Sequence, residues 1–359
     1  MKRPGGVGPG AGSGSASRPS PSAQDPTARG APPVEKGWHP AGARIGIVGL
    51  GLMGGSLARD LAALGTYVLG LDLNPDTLRA AAGAGVVHEA MPEGPSGAKL
   101  DPSALASLPL DALVLAVPVQ AAIPLLAAAA PHLEHVPLVM DVGSTKASIS
   151  AAAVRLGLGD RFVGSHPMAG SHRSGWEASR EGLFQGARVY LCRAPEVGGE
   201  TGSASAGGAG GEAYDQAGNG VGDEAGSEAG VDVAPETLRR ARGLWTAVGG
   251  VPELIDAVAH DRLLAWTSHL PQAASTALAR ALAGAGITPG DLGPGGRDMM
   301  RLAGSSASVW TGIALDNASA LAEGLRILEA ELAQLREWLL SGDGDGVEEF
   351  FARGAFWSS

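Results

Sequence analysis

The sequence predicts an α/β protein in two parts, a doubly wound, mainly parallel sheet followed by an all-helical segment. Three observations predict it. Between residues 43 and 256 short apolar runs alternate with helical periodicity, the pattern of parallel strands joined by helical crossovers. The first run, Arg44-Ile-Gly-Ile-Val48, leads directly into Gly49-Leu-Gly51-Leu-Met-Gly54. After residue 257 the strand signal stops and helical periodicity continues towards the C-terminus.

Residues 1–42 are rich in Gly, Ser, Pro and Ala and lack apolar periodicity, so they cannot offset the entropy of ordering and are expected to form a disordered tail. The dinucleotide-binding domain is expected over 43–256. Its strands should lie at 44–48, 67–72, 111–116, 137–142, 161–164, 188–193 and 251–255, and its helices at 54–64, 75–83, 120–131, 146–156 and 236–248. Residues 112–130 carry no charge and are long enough to resemble a membrane span. Pro118 and Pro124 interrupt them, and a strand followed by a helix is expected instead. Residues 196–234 hold twelve glycines and eight acids without a base, which reads as an inserted surface loop. The helical domain is expected over 257–359. It opens on 257–283, apolar almost all round, a helix to be buried at a domain or subunit interface. Within it Pro271 leaves the carbonyl of Thr267 without a helical donor, which predicts a kink beside Ser268 and His269.

Charge and cysteine content exclude several classes. The formal net charge is −11. The tail carries about +3 and the 196–234 segment −8, leaving about −6 on the rest, which argues against a nucleic-acid surface. A single cysteine, Cys192, excludes an intrachain disulfide and a cysteine-based zinc site. The N-terminus has no hydrophobic signal region, so a cytoplasmic location without membrane attachment is expected.

The glycines form G-x-G-x-x-G between a strand and a helix, and Asp72 ends the next strand 21 residues after Gly51. In that context the motif marks a Rossmann-like dinucleotide site. Gly49 allows the tight turn, Gly51 lets the backbone approach a pyrophosphate, and Gly54 permits close packing of helix on sheet. The helix N-terminus favours the phosphate charge. Asp72 suits a ribose 2′-hydroxyl and repels a 2′-phosphate, so NAD is expected over NADP. The expected cofactor-binding residues are Gly49, Leu50, Gly51, Leu52, Met53, Gly54, Asp72, Val117 and Pro118.

Gly164-Ser-His166-Pro-Met-Ala-Gly170 follows a strand at the edge where ligands bind in such sheets. From position alone a lone histidine is more often structural, yet His166 could take a proton as hydride leaves the same carbon. The fingerprint resembles that of the prephenate/arogenate dehydrogenase family. So do Asp141-Val-Gly-Ser144-Thr-Lys146, the His166 segment, His260-Asp261, Ser268-His269-Leu-Pro271 and Arg297-Asp298-Met-Met-Arg301. The resemblance is collinear from about residue 43 to 355, apart from 196–234.

The resemblance implies oxidative decarboxylation of prephenate to 4-hydroxyphenylpyruvate with NAD as cofactor, while the apolar helix 257–283 is expected to bury its second face across a two-fold axis in a homodimer. It implies that His166 accepts the proton of the ring hydroxyl, that Ser144 orients that hydroxyl, and that Arg301 holds a substrate carboxylate. Arginine can do this bidentately and lysine cannot. Asp298 would support Arg301; Ser268 and His269 would line the pocket; His260 reads as structural. His172 and His269 are the other imidazoles to which the proton could go. No metal is needed, because restoring aromaticity drives loss of carbon dioxide. Two positions depart from the family pattern. Gln272 stands where a histidine is frequent, and His172 where an acid or amide is frequent. Both should border the substrate, so arogenate stays open beside prephenate. No room is left for an appended ligand-sensing domain, so feedback would act at the active site. A β-hydroxyacid dehydrogenase shares the opening motif but resembles its relatives in using a lysine on the helical domain, and no lysine follows Lys146. A non-catalytic NAD-binding sensor would not need His166 and Arg301.

Overall fold

The apolar runs become the strands of a single sheet. The computed structural model describes residues 37–91, 101–170, 173–193 and 234–357. The strands are β1 (Arg44–Val48), β2 (Tyr67–Leu71), β3 (Glu89–Ala90), β4 (Ala112–Leu115), β5 (Val139–Asp141), β6 (Phe162–Pro167), β7 (Arg188–Arg193) and β8 (Val251–Asp256). Their spatial order is β3-β2-β1-β4-β5-β6-β7-β8. The first six are parallel, β7 is antiparallel to β6, and β8 is parallel to β7.

Helices α1 (Leu52–Ala63), α2 (Pro75–Gly83), α3 (Val119–Ala129), α4 (Ala147–Arg155) and α5 (Pro235–Ala247) make the crossovers. Because both faces are covered, the central strands are buried along nearly their whole length. One core packs Ile45, Ile47 and Leu57 with Trp245, and the other packs Leu69, Leu113 and Leu126 with Phe162. Helix starts follow local chemistry. The Asn74 side chain accepts from Asp76 N at 2.9 Å ahead of Pro75, and Asp256 accepts from Val258 N and Ala259 N at 2.8 Å. The chain leaves β1 towards β2 on one side and returns to pair β4 on the other. The C-terminal ends of β1 and β4 therefore flank the crevice where a nucleotide fits.

The remainder is helical: α6 (Ala257–Leu264), a π-helical turn (Ala265–His269), α7 (Leu270–Gly284), α8 (Pro294–Met300), α9 (Ala307–Asp316), α10 (Ala318–Ser341) and α11 (Gly344–Trp357). The disturbance expected at Pro271 takes the form of that π turn, and Thr267 Oγ1 donates to Leu263 O at 2.8 Å. Burial of 257–283 is incomplete in the single chain, where Val258, Leu263, Trp266 and Leu278 stay exposed. Among the described residues no helix is long and apolar enough to cross a membrane.

Two differences from the expected pattern have simple causes. β3 is two residues long, too short to leave a periodic signal. β6 runs on through His166 to Pro167, because Ser165, His166 and Pro167 pair with Leu191, Tyr190 and Val189 of β7. The polar run expected after the strand is thus its end, and His166 stands on the sheet itself. The tail to residue 36, residues 196–233 and His172 lie outside the described residues.

Candidate active site

The glycine loop is built as a cradle. Gly49 has φ +92°, and a Cβ there would lie 2.4 Å from Ala116 O, so only glycine fits between β1 and β4. A Cβ on Gly54 would lie 1.9 Å from Gly49 O, which fixes the close approach of α1. A Cβ on Gly51 would meet nothing within 4 Å, leaving open space where a phosphate can approach. Leu52 and Met53 open α1, so their amides have no partner within the helix and suit an anion. The Leu50 side chain is buried in the core, so only its backbone borders the cradle. Asp72 accepts from Leu50 N at 2.7 Å and from Asn74 N at 2.8 Å. These bonds fix its carboxylate at the end of β2 and leave lone pairs for a ribose. Val117 and Pro118 follow β4 beside Gly49.

At the end of β6, on the same edge of the sheet as the cradle, a chain of hydrogen bonds runs from the helical part into the sheet. Asp261 caps α4, accepting from Lys146 N and Ala147 N at 2.8 Å each, one with each carboxylate oxygen. Its Oδ1 also lies 2.8 Å from His260 Nδ1. His260 Nε2 lies 3.0 Å from His166 Nδ1. These contacts fix the tautomers. A carboxylate only accepts, so His260 carries its proton on Nδ1 and offers a lone pair at Nε2. His166 must then donate from Nδ1, which leaves its Nε2 bare. Burial, followed by the charges of His260, Lys146 and His269, holds His166 well below the usual imidazole range. His166 is therefore a neutral base at pH 7 with its acceptor nitrogen turned away from His260. His260, expected to be structural, is the middle member of this chain, wedged edge-on between the rings of His166 and Tyr190.

Beneath this chain Lys146, completely buried, pairs with Asp141 at the end of β5. Asp141 Oδ2 also accepts from Gly143 N at 2.8 Å, and Ser165 Oγ donates to Asp141 O. Ser144 lies half-buried on this pinned turn, between the β5 carboxylate and the start of α4. Ser148 Oγ ties α4 to Asp316 on α9 at 2.7 Å.

Ser268 is half-buried in the π turn beside His269, which is 2 % exposed. Arg301 follows α8 and is exposed. Its segment is held by α7. Gln272 Nε2 donates to Leu302 O at 2.8 Å, and Ser275 Oγ donates to Met299 O at 2.6 Å. Gln272, expected to border the substrate, is buried and its amide bonds the backbone next to Arg301. Asp298 forms no ion pair with Arg301 among the described residues; its carbonyl accepts from Arg301 N at 3.3 Å. Gln272 and the Asp298 carbonyl hold the backbone on either side of Arg301. Sequence reasoning missed Asn317 and the buried Lys146–Asp141 pair. Asn317's only sequence signal is a polar residue between two helical runs. Among the described residues no group of three His, Cys, Asp or Glu side chains is placed to hold a metal ion.

The family model for the nucleotide-binding domain of prephenate dehydrogenase matches residues 57–200, and that for its dimerisation domain matches 256–353. The chain belongs to the prephenate dehydrogenase family. Among its relatives, the cyclohexadienyl dehydrogenase of Zymomonas mobilis is 29% identical over 246 residues, covering 67% of this chain and 72% of that protein. The structure of prephenate dehydrogenase from A. aeolicus, solved with hydroxyphenyl propionate and NAD+, matches with a TM-score of 0.67 and 26% identity. It covers 88% of this chain and 97% of that one. Arogenate dehydrogenase from Synechocystis matches with a TM-score of 0.62 and 28% identity, covering 86% and 96%.

Proposed function

We propose that this dehydrogenase converts prephenate to 4-hydroxyphenylpyruvate and carbon dioxide while reducing NAD to NADH. The observation that carries the reading is the bare Nε2 of His166, set by the chain from Asp261 through His260 at the end of β6, on the same edge of the sheet as the glycine loop after β1. The residues of that cradle suit the group: an open approach at Gly51, free amides on α1 and a fixed carboxylate at Asp72. When bound, the nicotinamide accepts the hydride.

The chain's own residues do the rest. His166 Nε2 takes the proton of the ring 4-hydroxyl as hydride leaves the carbon that bears it. Electrons of the bond to the departing carboxylate flow through the ring to the C4 oxygen, and the proton returns there to give a phenol. Ser144 orients the hydroxyl, and Arg301 holds a carboxylate in a planar fork. Positive charge forming on His166 is stabilised by its hydrogen bond to His260 and by the Asp261 carboxylate that orients His260, with no proton passing to Asp261. Ser268 and His269 line the pocket.

Arogenate is the second reading. The two N–H groups of the Gln272 amide face Leu302 O at 2.8 Å and Thr276 Oγ1 at 3.4 Å, so it offers the substrate side chain no free donor with which to select a keto acid. Asp72 supports NAD over NADP, since no nearby arginine replaces it: Arg79, on the following helix, is paired with Asp76. Exposed Leu339, Leu340 and Phe351 on α10 and α11 support a homodimer through the helical part. The deciding experiment follows NADH formation with prephenate and with arogenate, each with NAD and NADP. Turnover of neither substrate would refute the reading.

A further inference from the structure

Asn317 lies buried between α9 and α10, and its amide nitrogen reaches two acceptors. One is Asp261 O at 2.7 Å and the other is His269 Nδ1 at 3.1 Å. A backbone carbonyl can only accept, so the Asn317 atom facing it is the amide nitrogen, and the flipped amide is excluded. Its second N–H then points at His269 Nδ1, which must present a lone pair. The single proton of a neutral His269 is therefore on Nε2. That atom is buried and has no hydrogen-bond partner, a costly state for a donor unless an acceptor is supplied. Burial holds His269 down to about 4, so the ring stays neutral and keeps this one proton at neutral pH. His166 and His269 offer opposite hydrogen-bond characters. His166 has a bare Nε2 and His269 a protonated one.

We propose that Asn317 is a positioning residue that locks His269 as a donor, and that His269 Nε2–H donates to an oxygen of the bound substrate. The second half rests on the reading above, that the substrate is a hydroxylated ring carboxylate rich in oxygen acceptors. A donor locked in this way cannot accept a proton at Nδ1, so His269 is not a reserve base for His166. Asn317 also holds the carbonyl of Asp261, which ties the tautomer of one histidine to the residue that sets the other.

The test begins with the full-length protein labelled with 15N in its histidine rings, using His269→Gln to assign the signals. Two-bond proton–nitrogen correlations at pH 7 should show His269 neutral with its proton on Nε2. A proton on Nδ1, or a charged ring, overturns the lock, whichever substrate the enzyme turns over and whether or not any variant folds. Asn317→Leu should mix the tautomers and raise KM about tenfold, the worth of one neutral hydrogen bond, without moving the acid limb of kcat. His269→Gln, whose amide can still donate, should keep KM closer to wild type than His269→Phe. Equal KM values for those two variants, or a shifted acid limb in Asn317→Leu, would contradict the donor role.

Discussion

At the scale of single residues, the chemistry depends on which nitrogen of each imidazole is bare. His166→Asn keeps a hydrogen-bonding group but removes the proton-accepting base, so turnover should fall roughly 10²–10⁴-fold while nucleotide binding survives. Stopped assays together with nucleotide titration check both halves. The pH dependence follows from burial. His166 is held well below 6.5 and His269 at about 4, so the acid limb of kcat/KM should lie clearly below the ordinary imidazole value. Stability has the same sign. At these two histidines the unfolded chain binds more protons than the folded one below 6.5, so the stability they contribute is full above that value and lost as pH falls through the lowered folded values. Denaturant titrations at pH 7 and pH 5 should show a lower midpoint at pH 5. The motifs around Ser144, His166, His269 and Arg301 were legible in the sequence. The wiring was not, because His166 and His260 are 94 residues apart and Lys146 and Asp261 are 115 apart. Such pairings leave no mark on local pattern, which is why His260 read as structural and Asn317 went unnoticed.

At the scale of elements, the helical part does more than cover the sheet. Asp261 from α6 caps α4, and α7 holds the segment that carries Arg301. If Gln272 acts through Arg301, the variants Gln272→Leu and Arg301→Lys should each raise KM, and together by less than the product of their separate effects. A double-mutant cycle on KM measures this, and strict additivity would show that Gln272 works elsewhere. Apart from the two-residue β3, the strands of the sheet were legible to within two residues at every end but that of β6, since central parallel strands are continuous apolar runs. The end of β6 was hidden because its pairing with β7 uses Ser165, His166 and Pro167, residues that read as loop. The π turn at Pro271 was foreseen only as a kink, because the missing donor fixes where a helix must adjust but not how.

At the scale of the whole molecule, the account joins a nucleotide cradle at the ends of β1 and β4 to a helical part with apolar surface to spare. Leu339, Leu340 and Phe351 are each more than 60 % exposed in the single chain, so light scattering at micromolar concentration should find a dimer; a stable, active monomer would refute that assembly. Catalytic efficiency should be much higher with NAD than with NADP, because the Asp72 carboxylate fixed at the end of β2 suits a ribose 2′-hydroxyl and repels a 2′-phosphate. The most direct measurement of the central claim is turnover of prephenate and of arogenate by wild type and by His166→Asn, following NADH and carbon dioxide together. The account predicts equimolar NADH and carbon dioxide from at least one of them with the wild-type enzyme, and a fall of roughly 10²–10⁴-fold in the variant. NADH formed without carbon dioxide, or a variant as fast as wild type, would contradict it.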